Sequence, residues 1–134
     1  MLYPIGIQNF EKLRQGGFAY VDKTDLIYRI AFTGRYYFLG RPRRFGKSLL
    51  VSTMEAYFQG KKELFRGLAI EKLEKDWTEY PVLHLDWSGA TYTSQEIFDE
   101  KMELALRQWE TEYAVKNDFK TDSVRFKTII DAAY

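Results

Sequence analysis

A Gly-Lys-Ser triplet at residues 46–48 constrains the fold of this chain more than any other feature. The preceding residues Tyr36–Leu39 are apolar and favour extended structure, as in a buried parallel strand. After the triplet, apolar residues recur at helical spacing as far as Phe58, and Gly60 closes the segment. The sequence therefore predicts a strand, a turn and a helix, which is the order found in phosphate-binding loops.

The residue types of the triplet suit that chemistry. Backbone N–H groups of such a turn surround phosphates, Lys47 would reach the β- and γ-oxygens, and the Ser48 hydroxyl would hold Mg²⁺. A helix beginning at Lys47 would also direct its positive end at the same anion. The pattern GxxxxGK[ST] places its first glycine at position 41, where this chain has Arg41, and Gly40 lies one residue too early. An ordinary strand-turn-helix corner remains the alternative.

Three segments carry a resemblance to a known family. They are YPIGIQNFEKLRQGGFAYVDKTDLIYRI at Tyr3–Ile30, RPRRFGKSLL at Arg41–Leu50 and YPVLHLDWSG at Tyr80–Gly89. Together they make the chain similar to the N-terminal part of the predicted AAA-ATPase-like family of P-loop proteins. The resemblance implies that the loop binds ATP with Mg²⁺, and that arginine in place of the first glycine is usual. It also implies that nucleic acid would be contacted only through a C-terminal nuclease-like domain outside residues 1–134.

The nucleotide site predicted from motif and resemblance is one continuous segment with Ser48 as its metal ligand. Its residues are Arg41, Pro42, Arg43, Arg44, Phe45, Gly46, Lys47, Ser48 and Leu49. Arginine suits bidentate contacts with phosphate, so we expect at least one of Arg43 and Arg44 to contact the nucleotide. The alternative is that these arginines pair with carboxylates of neighbouring helices.

The remaining pattern predicts helices alternating with short strands. Helices are expected at Phe10–Gln15 with Asn9 as N-cap, at Lys23–Phe32, at 61–65 and 70–77, from a Thr93–Glu96 capping box to about Tyr113, and at Ser123–Tyr134. Further strands are expected at Ala19–Val21 and Val82–Asp86. This alternation predicts an α/β fold of the P-loop NTPase type, a parallel sheet with helices on both faces.

The catalytic residues are unknown at this level, and Asp86 is the candidate. A P-loop ATPase needs a second strand that ends in an acidic residue holding Mg²⁺, and Val82–Asp86 has that pattern. The resemblance favours another interpretation, because family members carry an Asp-Glu pair on a later strand, after a helix like Ser123–Tyr134. The sheet is then incomplete, and residues 1–134 are the truncated N-terminal portion of the domain. Its strand Tyr36–Leu39 would present an exposed edge, which predicts self-association.

Composition indicates how many domains the chain forms and which partners and locations it is suited to. The 134 residues are 46% hydrophobic, enough for one domain with a core, and their net charge of +1 argues against broad electrostatic capture of nucleic acid or membrane. There is no cysteine, and Met1 is followed by neither a signal peptide nor an apolar run of membrane-spanning length. We therefore expect a cytoplasmic protein without a membrane partner.

Two further points stay open in the sequence. Asp22 and Lys23 could border the nucleotide, but Asp22 or Thr24 as a plain helix cap explains them equally well. His84 is expected to be a packed strand residue. Three functions fit: an ATPase that drives an effector, a nucleotide or phosphate sensor without hydrolysis, and a P-loop phosphotransferase acting on a small molecule.

Overall fold

The regular structure of this chain is helical. A computed structural model describes residues 2–89, 91, 93–116 and 120–134, and these contain six α-helices and one 3₁₀ turn. The helices are α1 (Phe10–Gln15), α2 (Thr24–Thr33), α3 (Lys47–Phe58), α4 (Ala69–Leu73), α5 (Gln95–Glu112) and α6 (Asp122–Ala133), and the 3₁₀ turn is Lys62–Phe65. Contacts divide the chain into two compact units, Met1–Val82 and Leu83–Tyr134. No helix within the described residues has the length and apolar character needed to cross a bilayer.

The predicted parallel sheet is wrong. Within the described ranges no sheet forms, and the β-pairing found is an isolated bridge between Leu2 and Phe18. Residues 19–21, 36–39 and 82–86 are not strands. The reason is that a β-favouring run becomes a strand only when its backbone groups pair with a neighbouring strand and its side chains are packed.

Residues 36–39 show this failure directly. Tyr36 is 94% exposed and Phe38 is 96% exposed, so the side chains that suggested a core strand contact mainly solvent. Tyr37 instead folds back on α2, where its hydroxyl donates a hydrogen bond to the Ile30 carbonyl oxygen at 2.7 Å. The sheet edge from which self-association was predicted is not found among the described residues, and self-association itself stays a prediction.

The core of the first unit is aromatic and aliphatic. Phe10 of α1 lies 4.8 Å from Phe65, measured between ring centroids, and α1 packs against α3 while α2 packs against α4. The buried cluster consists of Phe10, Ile27, Ala56, Tyr57, Leu64, Phe65, Leu68 and Ile70. The predicted start of α1 is confirmed, because the Asn9 side chain accepts a hydrogen bond from the Lys12 N–H at 3.0 Å.

Asp22 and Thr24 join two helix N-termini. One carboxylate oxygen of Asp22 accepts hydrogen bonds from the Thr24 backbone N–H (2.9 Å) and hydroxyl (2.7 Å), and the other accepts from the Ala69 N–H (2.7 Å). The buried Thr24 hydroxyl oxygen accepts from the Ile70 N–H at 3.1 Å. Asp22 thus binds the first N–H of α2 and of α4 from outside their N-cap positions, which are Lys23 and Leu68 and make no side-chain capping bond. These contacts give Asp22 a structural role at the two helix starts.

We expect Asp22→Asn to destabilise the chain by about 1 kcal/mol at neutral pH. Asparagine keeps one oxygen, but its amide nitrogen cannot accept the hydrogen bonds that the other carboxylate oxygen accepts. Partial burial acts to raise the pKa of Asp22, but the hydrogen bonds from Thr24 and Ala69 outweigh it and hold the pKa below the ordinary value of an aspartate. This contribution is therefore complete above the unfolded-state pKa and is lost as the pH falls through the folded-state pKa. Urea unfolding measured between neutral pH and pH 3 should show a shallower acid dependence for Asp22→Asn.

Asp25→Asn is the matched control, because Asp25 lies in the first turn of the same helix but outside these hydrogen bonds. An equal loss of stability in both variants would contradict the structural role of Asp22.

The second unit is built on α5 and α6, which pack through Leu106, Trp109 and Ile129. The helix predicted at Ser123–Tyr134 is confirmed within one residue at each end. The Thr93–Glu96 capping box is wrong, because the N-cap is Ser94 and its side chain makes no capping hydrogen bond. The helix predicted at 70–77 is shorter than expected and ends at Leu73.

Candidate phosphate-binding loop

Helix α3 begins at Lys47, as the sequence predicts, and Gly46 is its N-cap. Gly46 has φ 76°, in the left-handed region, and a Cβ built there meets no atom within 4 Å. The backbone conformation, not crowding, is therefore what favours glycine at this position. Arg44 shares the left-handed conformation with φ 66°, which turns the chain sharply before the helix.

The N-terminus of α3 is open to an anion. No side chain caps it, and its first turn contains no acidic residue. The first N–H groups of a helix have no partner within the helix, and the helix dipole places partial positive charge at that end. An anion at this position is stabilised by both effects.

The lysine of the triplet closes the loop. The Lys47 ammonium donates a hydrogen bond to the Arg41 carbonyl oxygen at 2.6 Å. This contact joins the start of the loop to its end and fixes the path of the backbone between them. An ammonium has three N–H donors, so Lys47 can keep this bond and still donate to two ligand oxygens.

A cavity of about 550 Å³ lies at this loop. Its lining comes from two separate parts of the chain, the loop and the N-terminal segment. The lining residues are Gly6, Ile7, Gln8, Arg44, Gly46, Lys47, Ser48 and Leu49. None of these is acidic, so the charged side chains at the cavity are both cations.

The N-terminal wall of this cavity was not predicted. Ser52 of α3 holds it in place: its hydroxyl oxygen accepts a hydrogen bond from the Phe10 N–H at 3.0 Å and lies 3.4 Å from the Gln8 carbonyl oxygen. Residues 6–8 fall within a segment that carries the family resemblance, but no local pattern assigns them to a binding site. Their position depends on a contact that spans 42 residues.

The structure separates the nine predicted loop residues into three groups. Arg44 and Gly46–Leu49 line the loop cavity. Arg41 and Phe45 line not the loop cavity but a second, mostly apolar cavity of about 470 Å³, which is shared with α2 and is also lined by Gly46 and Leu49. Pro42 and Arg43 are exposed and line neither cavity. Of the two arginines that the sequence could not distinguish, Arg44 is therefore the one at the cavity.

Asp86 closes a local turn in the second unit. Its carboxylate accepts hydrogen bonds from the Ser88 backbone N–H (2.8 Å) and hydroxyl (2.9 Å), and these bonds lower the pKa of Asp86. The segment that contains Asp86 and His84 is not a strand. Within the part of the chain that the structure describes, no three histidine or acidic side chains are grouped to hold a metal ion. The local geometry gives Asp86 a structural role.

The described residues thus combine a cationic loop, closed by Lys47, with an uncapped helix N-terminus, and helix N-termini of this kind favour anions. The chain belongs to the predicted AAA-ATPase family, whose model matches residues 4–134. It is 36% identical over 133 residues to an uncharacterized protein in the vnfD 5' region of Azotobacter chroococcum mcd 1. That match covers 98% of this chain and 26% of the relative, so the chain spans about a quarter of the relative's length. No solved structure matches the chain.

Proposed function

We propose that the loop Arg41–Leu49 binds the phosphates of ATP with Mg²⁺, as the nucleotide-binding part of an AAA-like ATPase. The observation that carries this proposal is the uncapped N-terminus of α3, which opens on a cavity whose charged lining residues are Arg44 and Lys47. Membership of the predicted AAA-ATPase family supports nucleotide over simple phosphate. In the whole protein, nucleotide binding or hydrolysis would control an effector outside this sequence.

Each lining residue has a role in this proposal. The N–H groups at the start of α3 would donate hydrogen bonds to phosphate oxygens, and Lys47 and Arg44 would balance the phosphate charge. The Ser48 hydroxyl oxygen would hold Mg²⁺, which would supply positive charge to neutralise the phosphates. The cavity fits the phosphates because its charged lining residues are cations and no carboxylate lines it, and the Ser48 hydroxyl is the side-chain oxygen proposed for Mg²⁺.

The second candidate function is a sensor that binds nucleotide without hydrolysing it, and the lining of the loop cavity is the observation that favours it. Hydrolysis requires an acidic metal ligand and a group that orients water, and among the described residues the loop cavity has no aspartate or glutamate. We therefore expect phosphate release by the 134-residue chain to equal the background with Mg-ATP alone. Steady turnover that disappears in Asp86→Asn would assign Asp86 to catalysis and exclude the sensor.

Isothermal titration with Mg-ATP tests the binding site. Lys47→Ala is expected to weaken binding at least ~10-fold, because it removes charge-assisted hydrogen bonds to phosphate. Lys72→Ala removes the same charge from α4, whose residues do not line the loop cavity, and should leave the affinity unchanged. Equal affinities of Lys47→Ala and the parent chain would refute the assignment.

Arg43 and Arg44 offer a sharper comparison, because they are adjacent and only Arg44 lines the cavity. Arg44→Gln should weaken Mg-ATP binding several-fold, and Arg43→Gln should not. Neither arginine side chain makes the hydrogen bond that closes the loop. A weaker affinity of Arg44→Gln alone would therefore reflect a lost phosphate contact and not a change in loop structure. Equal effects of the two substitutions would show that general charge, not the site, governs binding.

A further inference from the structure

A cavity of about 330 Å³ lies in the first unit at the C-terminal ends of α2 and α3. It shares no lining residue with the loop cavity, and it has an unusually aromatic wall. The aromatic lining residues are Phe32, Tyr57, Phe58, Trp77 and Tyr80. Its volume falls at the lower end of the range of roughly 300–1,000 Å³ that small-molecule sites occupy.

The aromatic rings stand at steep angles to one another. The rings of Tyr57 and Trp77 are 5.9 Å apart with an interplanar angle of 73°, and those of Phe58 and Tyr80 are 6.1 Å apart at 78°. Such edge-to-face pairs orient neighbouring rings in different directions, so that they form walls instead of a single stack.

Three contacts hold the segment 74–80 against α3. The Tyr57 hydroxyl donates a hydrogen bond to the buried Glu74 carboxylate, and the Tyr80 N–H donates to the Phe58 carbonyl oxygen at 2.7 Å. A Cβ at Gly60 would lie 3.0 Å from the Trp77 carbonyl oxygen, so this close approach depends on glycine. The aromatic walls are therefore built on a fixed backbone.

The charges at this cavity are negative. Glu74 and Asp76 line it, and no lysine or arginine is found among the described lining residues. Burial acts to raise the pKa of Glu74, but hydrogen bonds from Tyr57 and from three backbone N–H groups outweigh it and keep the carboxylate ionised. Residues from the last turns of α2 and α3 also line the cavity, and neither turn contains a basic residue to offset the negative end of the helix dipole.

The hydrogen bonds of Glu74 indicate which kind of cation fits. Its two carboxylate oxygens already accept bonds from the Tyr57 hydroxyl and from the Lys75 and Asp76 N–H groups. Few acceptor sites therefore remain on Glu74 for the N–H donors of an ammonium or guanidinium group, and the exposed Asp76 is the other lining carboxylate. A hard metal ion would need more free oxygen ligands than this one carboxylate supplies. A cation without N–H donors needs only negative potential and aromatic faces.

We propose that this cavity binds a small organic cation of the quaternary ammonium class, held by the aromatic walls and by the negative charges of Glu74 and Asp76. The proposed ligand is independent of the nucleotide, and binding at the two cavities is tested by different titrations.

Choline and its neutral isostere 3,3-dimethylbutan-1-ol are the probes, titrated into the 134-residue chain by calorimetry at constant ionic strength and without nucleotide. They have the same shape and differ in charge. Choline should bind saturably, and the isostere should bind at least ~10-fold more weakly because it gains no cation–π attraction. Equal binding of the two probes, or no saturable binding of choline by a chain shown to be folded, would overturn the proposal.

Two exposed positions provide variants that preserve the core. Asp76→Asn removes one lining charge and should weaken choline binding about two- to fivefold, while Asp131→Asn on α6 should not change it. Tyr80→Leu removes one aromatic face and should weaken binding by a similar factor, while Tyr3→Leu, which does not line the cavity, should have no effect. Unchanged binding in both Asp76→Asn and Tyr80→Leu would contradict the proposed site.

Discussion

Replacement of Arg125 by methionine is expected to lower the free energy of unfolding of the second unit by about 3–5 kcal/mol, because it leaves a buried carboxylate without its partner. The Arg125 side chain is 5% exposed and that of Glu110 is 6% exposed. Two N–H groups of Arg125 donate to the two carboxylate oxygens of Glu110 at 2.7 and 2.9 Å, and a third nitrogen donates to Glu103. Urea unfolding followed by tryptophan fluorescence, to which the buried Trp109 contributes together with Trp77 and Trp87, measures the loss.

Two further variants identify the cause of this loss. The double variant Arg125→Met, Glu110→Leu removes both charges and should recover most of the stability, since apolar groups of similar size replace a buried ion pair at little cost. Arg107→Met removes an arginine whose side chain is 70% exposed and which pairs with the same Glu103. Its expected cost is about 0.5 kcal/mol or less. A cost for Arg125→Met no greater than that for Arg107→Met would contradict the role of the buried pair.

The helices of this chain could be predicted from sequence because their signals are local. The side chain of Asn9 bonds three residues along the chain, and the apolar spacing of α3 and the glycine before it lie within one short segment. The strands could not be predicted in the same way, because extended structure depends on a partner from elsewhere in the chain. Residues 36–39 have the composition of a strand, but no strand among the described residues pairs with them.

In the candidate site, too, the local features could be predicted from sequence, and the contacts between distant residues could not. The helix that follows the triplet at 46–48 is a local feature, and it begins at Lys47 as predicted. The contribution of residues 6–8 depends on Ser52, and the role of Asp22 depends on its bond to Ala69, which is 47 residues away. The burial of Arg125 could not be predicted from helical periodicity either, because that pattern assigns charged residues to the solvent-exposed face.

We expect Phe65→Ala to destabilise the first unit by about 3–5 kcal/mol, the cost of a large cavity in a packed core. Phe65 has no solvent exposure, and its ring centroid lies 4.8 Å from that of Phe10 and 5.2 Å from that of Trp77. Loss of the ring therefore removes support from α1 and from a wall of the aromatic cavity together. Urea unfolding followed by the fluorescence of Trp77 measures this loss, and Phe65→Leu, which refills most of the volume, should cost less than half as much.

Phe38→Ala is the matched control, since it deletes the same side chain from a position that is 96% exposed. The structure predicts a change within about 0.5 kcal/mol, because little apolar surface leaves or enters water there. A buried central strand at residues 36–39, as the sequence pattern suggests, would instead make Phe38→Ala as costly as Phe65→Ala. The ratio of these two unfolding free-energy changes therefore distinguishes the helical structure from the sheet, and a large cost at Phe38 would contradict the exposed conformation of this segment.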